Sequence, residues 1–213
     1  MLNRLVRKAW LGDVPMDFQR EAWRYDAAKW RAVYGATHQG MVATRGSDTS
    51  ADQIAWITGR IRELRPRTVV DVGSGQGLVA SSLAAALPTG SRLSLVEPYQ
   101  TIAGGLRFRQ IRAVAEALPF RDGAVDVLVS THTLEHLPRL VSTFGEFRRV
   151  ARRILVIVPL QRWSRYSWDL HLHFFPYLEY LPGLLETPAE TARVIDGDGC
   201  YEFVPATLGT AGS

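Results

Sequence analysis

Short apolar runs alternate with longer amphipathic stretches along most of this chain. Residues Thr68, Val69, Val70 and Val72 form a β-branched run that predicts a buried strand. The Ala-, Leu- and Ser-rich stretch after Gly77 predicts a helix that ends at Pro88-Thr89-Gly90. Upstream, Ile54, Ile57, Ile61 and Leu64 make one apolar stripe of a helix. Ser50 and Gln53 open that helix at capping-box spacing, and Pro66 closes it. Downstream, strands are predicted at Arg92–Val96, within Arg109–Val114, at Val125–Ser130 and at Ile154–Pro159. A helix over Leu140–Arg152 precedes the last of these, and a hairpin pairs Ala192–Ile195 with Cys200–Val204 around Asp196–Gly199. Strands that alternate with helices imply an α/β fold, a mostly parallel sheet covered on both faces.

Three regions follow. Residues 1–50 read as an N-terminal helical cap or lid, 51–160 as the core, and 161–213 as a substrate-side segment ending in the hairpin. In the first region, Leu2, Leu5, Val6 and Trp10 share a face that suits packing on the domain or, less well, a membrane surface. Phe18, Trp23, Trp30 and Tyr34 follow at helical spacings, placed either to close over a ligand or to pack on the sheet's flank. Residues 35–50 read as a loop.

Between the first strand and its helix lies Asp71-Val72-Gly73-Ser74-Gly75-Gln76-Gly77. Glycines let the backbone turn sharply and expose N–H groups to a ligand at a helix N-terminus. A dinucleotide fingerprint would need glycine where Leu78 stands. The acid Asp71 in front of the bend favours a cationic group over a pyrophosphate. Glu97 ends the second strand about 20 residues past the glycines, where a carboxylate can accept hydrogen bonds from ribose hydroxyls. Asp71, Glu97, Ser130 and Pro159 all fall at the carboxyl ends of strands, the ligand-binding edge of such sheets.

Composition narrows the class without naming a ligand. The 213 residues are 46% hydrophobic and 22% charged, which suits one globular core. The formal net charge of +4 is carried almost wholly by arginine, since Lys8 and Lys29 are the only lysines. That mild excess does not by itself point to nucleic acid. Cys200 stands alone, so an intramolecular disulfide framework is excluded. No apolar run reaches membrane-spanning length, and Arg4, Arg7 and Lys8 interrupt the N-terminus, so a soluble, cytoplasmic protein is expected.

The motifs VVDVGSGQG, LVEP, AEALPF-RDGAVDVLVS and HTLEHLP, in this order over about 68–160, resemble the class I S-adenosylmethionine-dependent methyltransferases, especially the type 11 group. The resemblance implies a Rossmann-like, doubly wound, single-domain sheet of seven strands with the last antiparallel. The 192–204 hairpin would supply its final pair. It implies S-adenosylmethionine as cofactor and S-adenosylhomocysteine as product. Asp71, Gly73, Ser74, Gly75 and Gly77 would hold the methionine part and Glu97 the ribose. Val114, Ala115 and Glu116 would flank adenine, and Ser130 and Thr131 would touch the methionine end. Members often carry an acid where this chain has Val114, so adenine recognition would fall to backbone groups or Glu116.

His132, Glu135 and His136 stand at i, i+3, i+4, one face of a helix if the segment is helical. H-x-x-E-H is also an inverted zinc-protease signature, but its position after a strand at the cofactor edge speaks against that. Some RNA 2′-O-methyltransferases and quinone-pathway O-methyltransferases are similar here, with E-x-x-E-H and a divalent metal. This chain has His132 in place of the first glutamate, with His171 or His173 as a further ligand in that reading. Local hydrogen bonding at a helix start is favoured, and no metal is expected. For the chemistry, His132 and His173 are the candidate general bases for a hydroxyl acceptor.

The function expected is in-line methyl transfer to an oxygen or nitrogen of a small-molecule or glycan-like acceptor. Trp163, Tyr166, Trp168, Phe174 and Phe175 would help to form its pocket. The alternatives are RNA methylation through Arg148, Arg149, Arg152 and Arg153, and a non-catalytic scaffold of the same fold.

Overall fold

A computed structural model describes residues 18–34, 48–99, 108–164 and 170–205. The Leu2–Trp10 helix, most of the 35–50 loop, and Tyr166 and Trp168 lie outside them. Seven strands form one sheet: β1 (Thr68–Val72), β2 (Arg92–Val96), β3 (Phe108–Ile111), β4 (Val125–Thr131), β5 (Ala151–Pro159), β6 (Thr191–Ile195) and β7 (Asp198–Phe203). Their order is β3-β2-β1-β4-β5-β7-β6. The strands from β3 to β5 run parallel, while β7 is antiparallel to β5 and to β6. The strand order reverses between β1 and β4, and the crevice beyond their carboxyl ends is the ligand position of a doubly wound sheet.

The pleat sorts the core. Val70 and Val72 face one layer with Phe144 and Phe147, while Val69, Leu93 and Leu95 face the other. That second layer is closed by Ile57 and Ile61 of α1 (Ala51–Leu64) and by Leu83 of α2 (Ala80–Ala86). The first is closed by α3 (Leu140–Val150) and by Leu181 of α4 (Tyr180–Leu184). A third cluster packs Phe18, Ala22, Trp30 and Val33 against Leu170 and Leu172. Phe18 and Trp30 therefore pack on the segment that follows β5.

Several boundaries differ from the sequence expectation, each for a local reason. The segment Phe18–Tyr34 is broken into a helical turn (Phe18–Glu21), a 3-10 turn (Ala22–Arg24) and a helix over 27–34, which Asp26 caps by accepting from the Lys29 N–H (2.8 Å). Helix α2 starts at Ala80, after three glycines in the left-handed region. Strand β3 ends at Ile111, its last register partner being Val96, which leaves Ala113–Glu116 to form a wall. Helix α3 stops at Val150 because Ala151 is already extended and in register with Val125. The hairpin turn is Asp196-Gly197 alone, with φ of 52° and 90°, the two-residue conformation that Asp-Gly favours. Asp198 is thereby a strand residue opposite Pro159.

Arg152 and Arg153 thus belong to β5. The Arg153 guanidinium donates to Glu202 Oε1 (2.5 Å), and Arg60 of α1 donates to both oxygens of the same carboxylate (2.9 and 3.0 Å). Glu202 is fully buried, whereas the two arginines are partly exposed. Replacing both arginines by methionine strands a buried charge, and we expect a loss of about 3–5 kcal/mol in urea unfolding. The double variant should lose more than the two single variants added together. Additive losses would show that the carboxylate is solvated by other means.

Candidate functional site

The bend after β1 is built from three left-handed glycines, Gly73 (φ 75°), Gly75 (φ 52°) and Gly77 (φ 77°). The Gly73 N–H donates to the Val96 carbonyl (2.9 Å), tying the bend to the end of β2. Gly73 also packs directly against Thr133, whose Oγ1 donates to the Thr131 carbonyl (3.0 Å). Glu97 is buried at the end of β2, and its carboxylate accepts from the N–H of Gly75 (3.1 Å) and of Tyr99 (2.9 Å). A carboxylate has about four lone-pair sites, so two remain for a diol.

Asp71 is 2% exposed on the inner face of β1. Burial, reinforced by the charge of Glu97, pushes its carboxyl up to about 7. The ionised form of Asp71 is thus disfavoured unless a cation lies nearby.

At the end of β4 the chain turns sharply. His132 adopts φ 48°, uncommon for a side-chain-bearing residue, and its N–H donates to the Ile157 carbonyl (2.9 Å). His132 is therefore outside the 3-10 turn Leu134–His136, and the expected helical face does not form. The ring still lies between two acids, with Nδ1 3.7 Å from Glu135 Oε1 and Nε2 3.6 Å from Asp198 Oδ2. Burial lowers its pKa, opposed by the charges of Asp198 and Asp48. Asp198 is in turn held by the Gln53 amide (2.8 Å), so the α1 cap residue reaches across to the site.

One cavity of about 800 Å³ joins these parts, running from Gly73, Gly75 and Glu97 to His132 and Glu135. Val114, Ala115 and Glu116 line it, as do Trp23, Tyr25, Trp30 and Tyr34. The Tyr34 and Tyr99 rings stack at 5.3 Å between centroids. Of the residues expected from the sequence, Gly73, Gly75, Glu97, Val114, Ala115, Glu116 and His132 lie on the cavity wall. Asp71, Ser74, Gly77, Ser130 and Thr131 are not among the lining residues. Ser130 is buried and donates to the Val72 carbonyl (3.2 Å), joining β4 to β1 from behind.

His173 is not brought to this cavity. Its Nε2 lies 2.8 Å from the Leu137 carbonyl, and it lines a separate surface groove with Trp163 and Phe174. Phe175 is fully buried in the first core layer. Asp198, Thr133 and Tyr99 were not foreseen as site residues. The Asp-Gly turn dipeptide was the one available signal for Asp198.

The sheet order and the glycine bend define a Rossmann-like, doubly wound α/β fold first. The solved structure of human N-acetylserotonin methyltransferase in complex with SAM superposes with a TM-score of 0.62 at 12% identity, covering 97% of this chain and 66% of that one. A SAM-dependent methyltransferase from Aquifex aeolicus gives 0.53 at 12% identity, covering 74% and 99%. Residues 70–155 match the family model described as a methyltransferase domain, type 11. An uncharacterized methyltransferase of Mycobacterium marinum is 34% identical over 137 residues, 61% of this chain and 50% of the relative. The chain spans about half the length of the curated relatives it matches. Among the described residues, no helix is long and apolar enough to cross a membrane.

Proposed function

We propose that this protein transfers a methyl group from S-adenosylmethionine to an oxygen or nitrogen nucleophile of a small-molecule or glycan-like acceptor. The observation that carries the reading is the single cavity at the switch point, lined by the glycine bend, Glu97 and His132 together. The left-handed glycines keep the bend free of Cβ atoms, and the lone pairs left on Glu97 suit a ribose diol, so the residues fit the cofactor. Val114–Glu116 would border the adenine. When bound, the cofactor supplies a methyl group already activated on a sulfonium.

The protein's own task is then to align, to exclude water and to manage one proton. Aromatic rings of the 18–34 segment line the cavity and form the cap of this reading. Alignment of this kind is worth about 7–11 kcal/mol of barrier. His132 lines the same cavity as the glycine bend, and in this reading it takes a proton from the acceptor. A small acceptor is favoured over RNA because the arginines invoked for RNA are engaged elsewhere. Arg149 pairs with Glu146 and Asp122, Arg153 with Glu202, and Arg152 donates to the Gly123 carbonyl. All of these lie toward the amino end of β5, opposite the cavity edge.

The reading is tested with methyl-labelled cofactor and a fractionated cell extract, following the label into low-molecular-mass products. Label found only in RNA would replace the acceptor class, and cofactor binding without transfer to any fraction would favour the scaffold alternative. With the acceptor in hand, His132→Ala should lower kcat by about 10²–10⁴-fold and leave cofactor affinity within a few-fold. Full turnover in that variant would remove His132 from the proton step.

A further inference from the structure

On the acceptor side of the cavity, the 3-10 turn after β4 meets the segment that follows β5. The Glu135 carbonyl accepts from the N–H of Leu172 (2.7 Å) and of His173 (3.0 Å), which fixes the two segments against each other. This brings the Glu135 carboxylate, the His136 imidazole and the His171 imidazole together, one ligand atom of each lying within 4.8 Å of the others. Glu135 is fully buried, His136 and His171 are partly buried, and all three line the main cavity.

The orientation of the rings gives the cluster a chemical meaning. His136 Nδ1 lies 3.0 Å from the Leu170 carbonyl, an acceptor only. Nδ1 therefore carries the proton and Nε2 presents a lone pair, which is how metal-binding histidines are usually oriented. The Gln161 amide nitrogen contacts His171 Nδ1; an amide turned so that its oxygen accepts from Nδ1–H puts the His171 lone pair on Nε2, and the two imidazoles meet edge to face at 4.8 Å between centroids. We propose that Glu135, His136 and His171 form a binding site for a divalent first-row transition cation.

Two imidazoles and a carboxylate suit such cations, and bonds of about 2.0–2.2 Å would draw the three groups inward. Three ligands leave coordination positions open towards the cavity, where an oxygen of an acceptor would fit. The set differs from that expected of H-x-x-E-H as a helix, because the left-handed turn at His132 takes that ring out of register and His171 replaces it. The proposal does not depend on methyl transfer. Protein that binds the cation but not S-adenosylmethionine would keep this site and refute the function above.

The test is Zn²⁺ titration of the chelator-stripped full chain by calorimetry, with metal content after dialysis as a second readout. One equivalent should bind. His171→Ala and Glu135→Gln should each weaken binding by at least about tenfold, while His173→Ala, outside the cluster, leaves it unchanged. Glu135→Gln keeps the side-chain shape, so unchanged melting alongside lost binding separates coordination from misfolding. Absence of binding to the parent protein, or affinity equal to the parent's in both cluster variants, would overturn the assignment.

Discussion

Gly73→Ala is expected to destabilise the protein by about 3 kcal/mol and to abolish cofactor binding. Two costs combine at this position. The backbone at φ 75° carries a left-handed penalty of about 1–2 kcal/mol for any residue with a Cβ. The new methyl would also overlap Thr133, with Cγ2 at 2.6 Å and Oγ1 closer still. Threonine is too short to move aside, and its hydroxyl is bonded to the Thr131 carbonyl. Gly90→Ala separates the two costs, because Gly90 has φ 85° but nothing within 4 Å of its Cβ position. That control should lose only the backbone penalty and retain cofactor affinity. Adding Thr133→Ala to Gly73→Ala should recover about 1–2 kcal/mol, the overlap share. Equal losses in the Gly73 and Gly90 variants, measured by urea unfolding, would show that the approach of β4's turn to the bend is not a constraint.

The second large effect concerns the buried acids. Asp71 has its carboxyl raised to about 7 by burial and by Glu97, so the folded, ligand-free state prefers it protonated. A group raised above its unfolded value stabilises fully below that value, near pH 4, and loses its contribution as pH rises through about 7. The ligand-free protein should therefore lose on the order of 4 kcal/mol over that window from this residue alone. Asp71→Asn should flatten the slope. A sulfonium nucleoside favours the ionised acid, so its affinity should fall by up to about tenfold per pH unit below pH 7, and Asp71→Asn should remove that dependence. A pH-independent affinity in the parent protein would show that Asp71 keeps one protonation state throughout.

Much of this arrangement was legible because it rests on local rules. β-branched runs, the glycine bend, Glu97 at its strand end and the Ser50–Gln53 capping box each follow from a few neighbouring residues. The capping box is present, with the Ser50 N–H donating to Gln53 Oε1 (2.8 Å). What escaped depends on contacts distant in sequence or on the last residue of a turn. Asp198 enters the site because the hairpin turn takes two residues instead of four, which moves it into register with Pro159. Arg152 and Arg153 looked like the end of a basic helix, yet the buried Glu202 on β7 draws Arg153 into the sheet. His173 was favoured over His171 as a base, whereas their alternation along the chain sends His173 to the outer groove and His171 to the cavity. No pattern of spacing distinguishes those two histidines before the strands are assembled.

Calorimetric titration of S-adenosylmethionine into the parent protein and into Glu97→Gln addresses the central claim most directly. The parent should bind one equivalent, and the variant, which loses the charge-assisted hydrogen bonds to the ribose and can accept only one of the two backbone N–H groups, should bind about 30–100-fold more weakly with a modestly lowered melting temperature. No detectable binding to the parent, or equal affinity in the variant, would contradict the account.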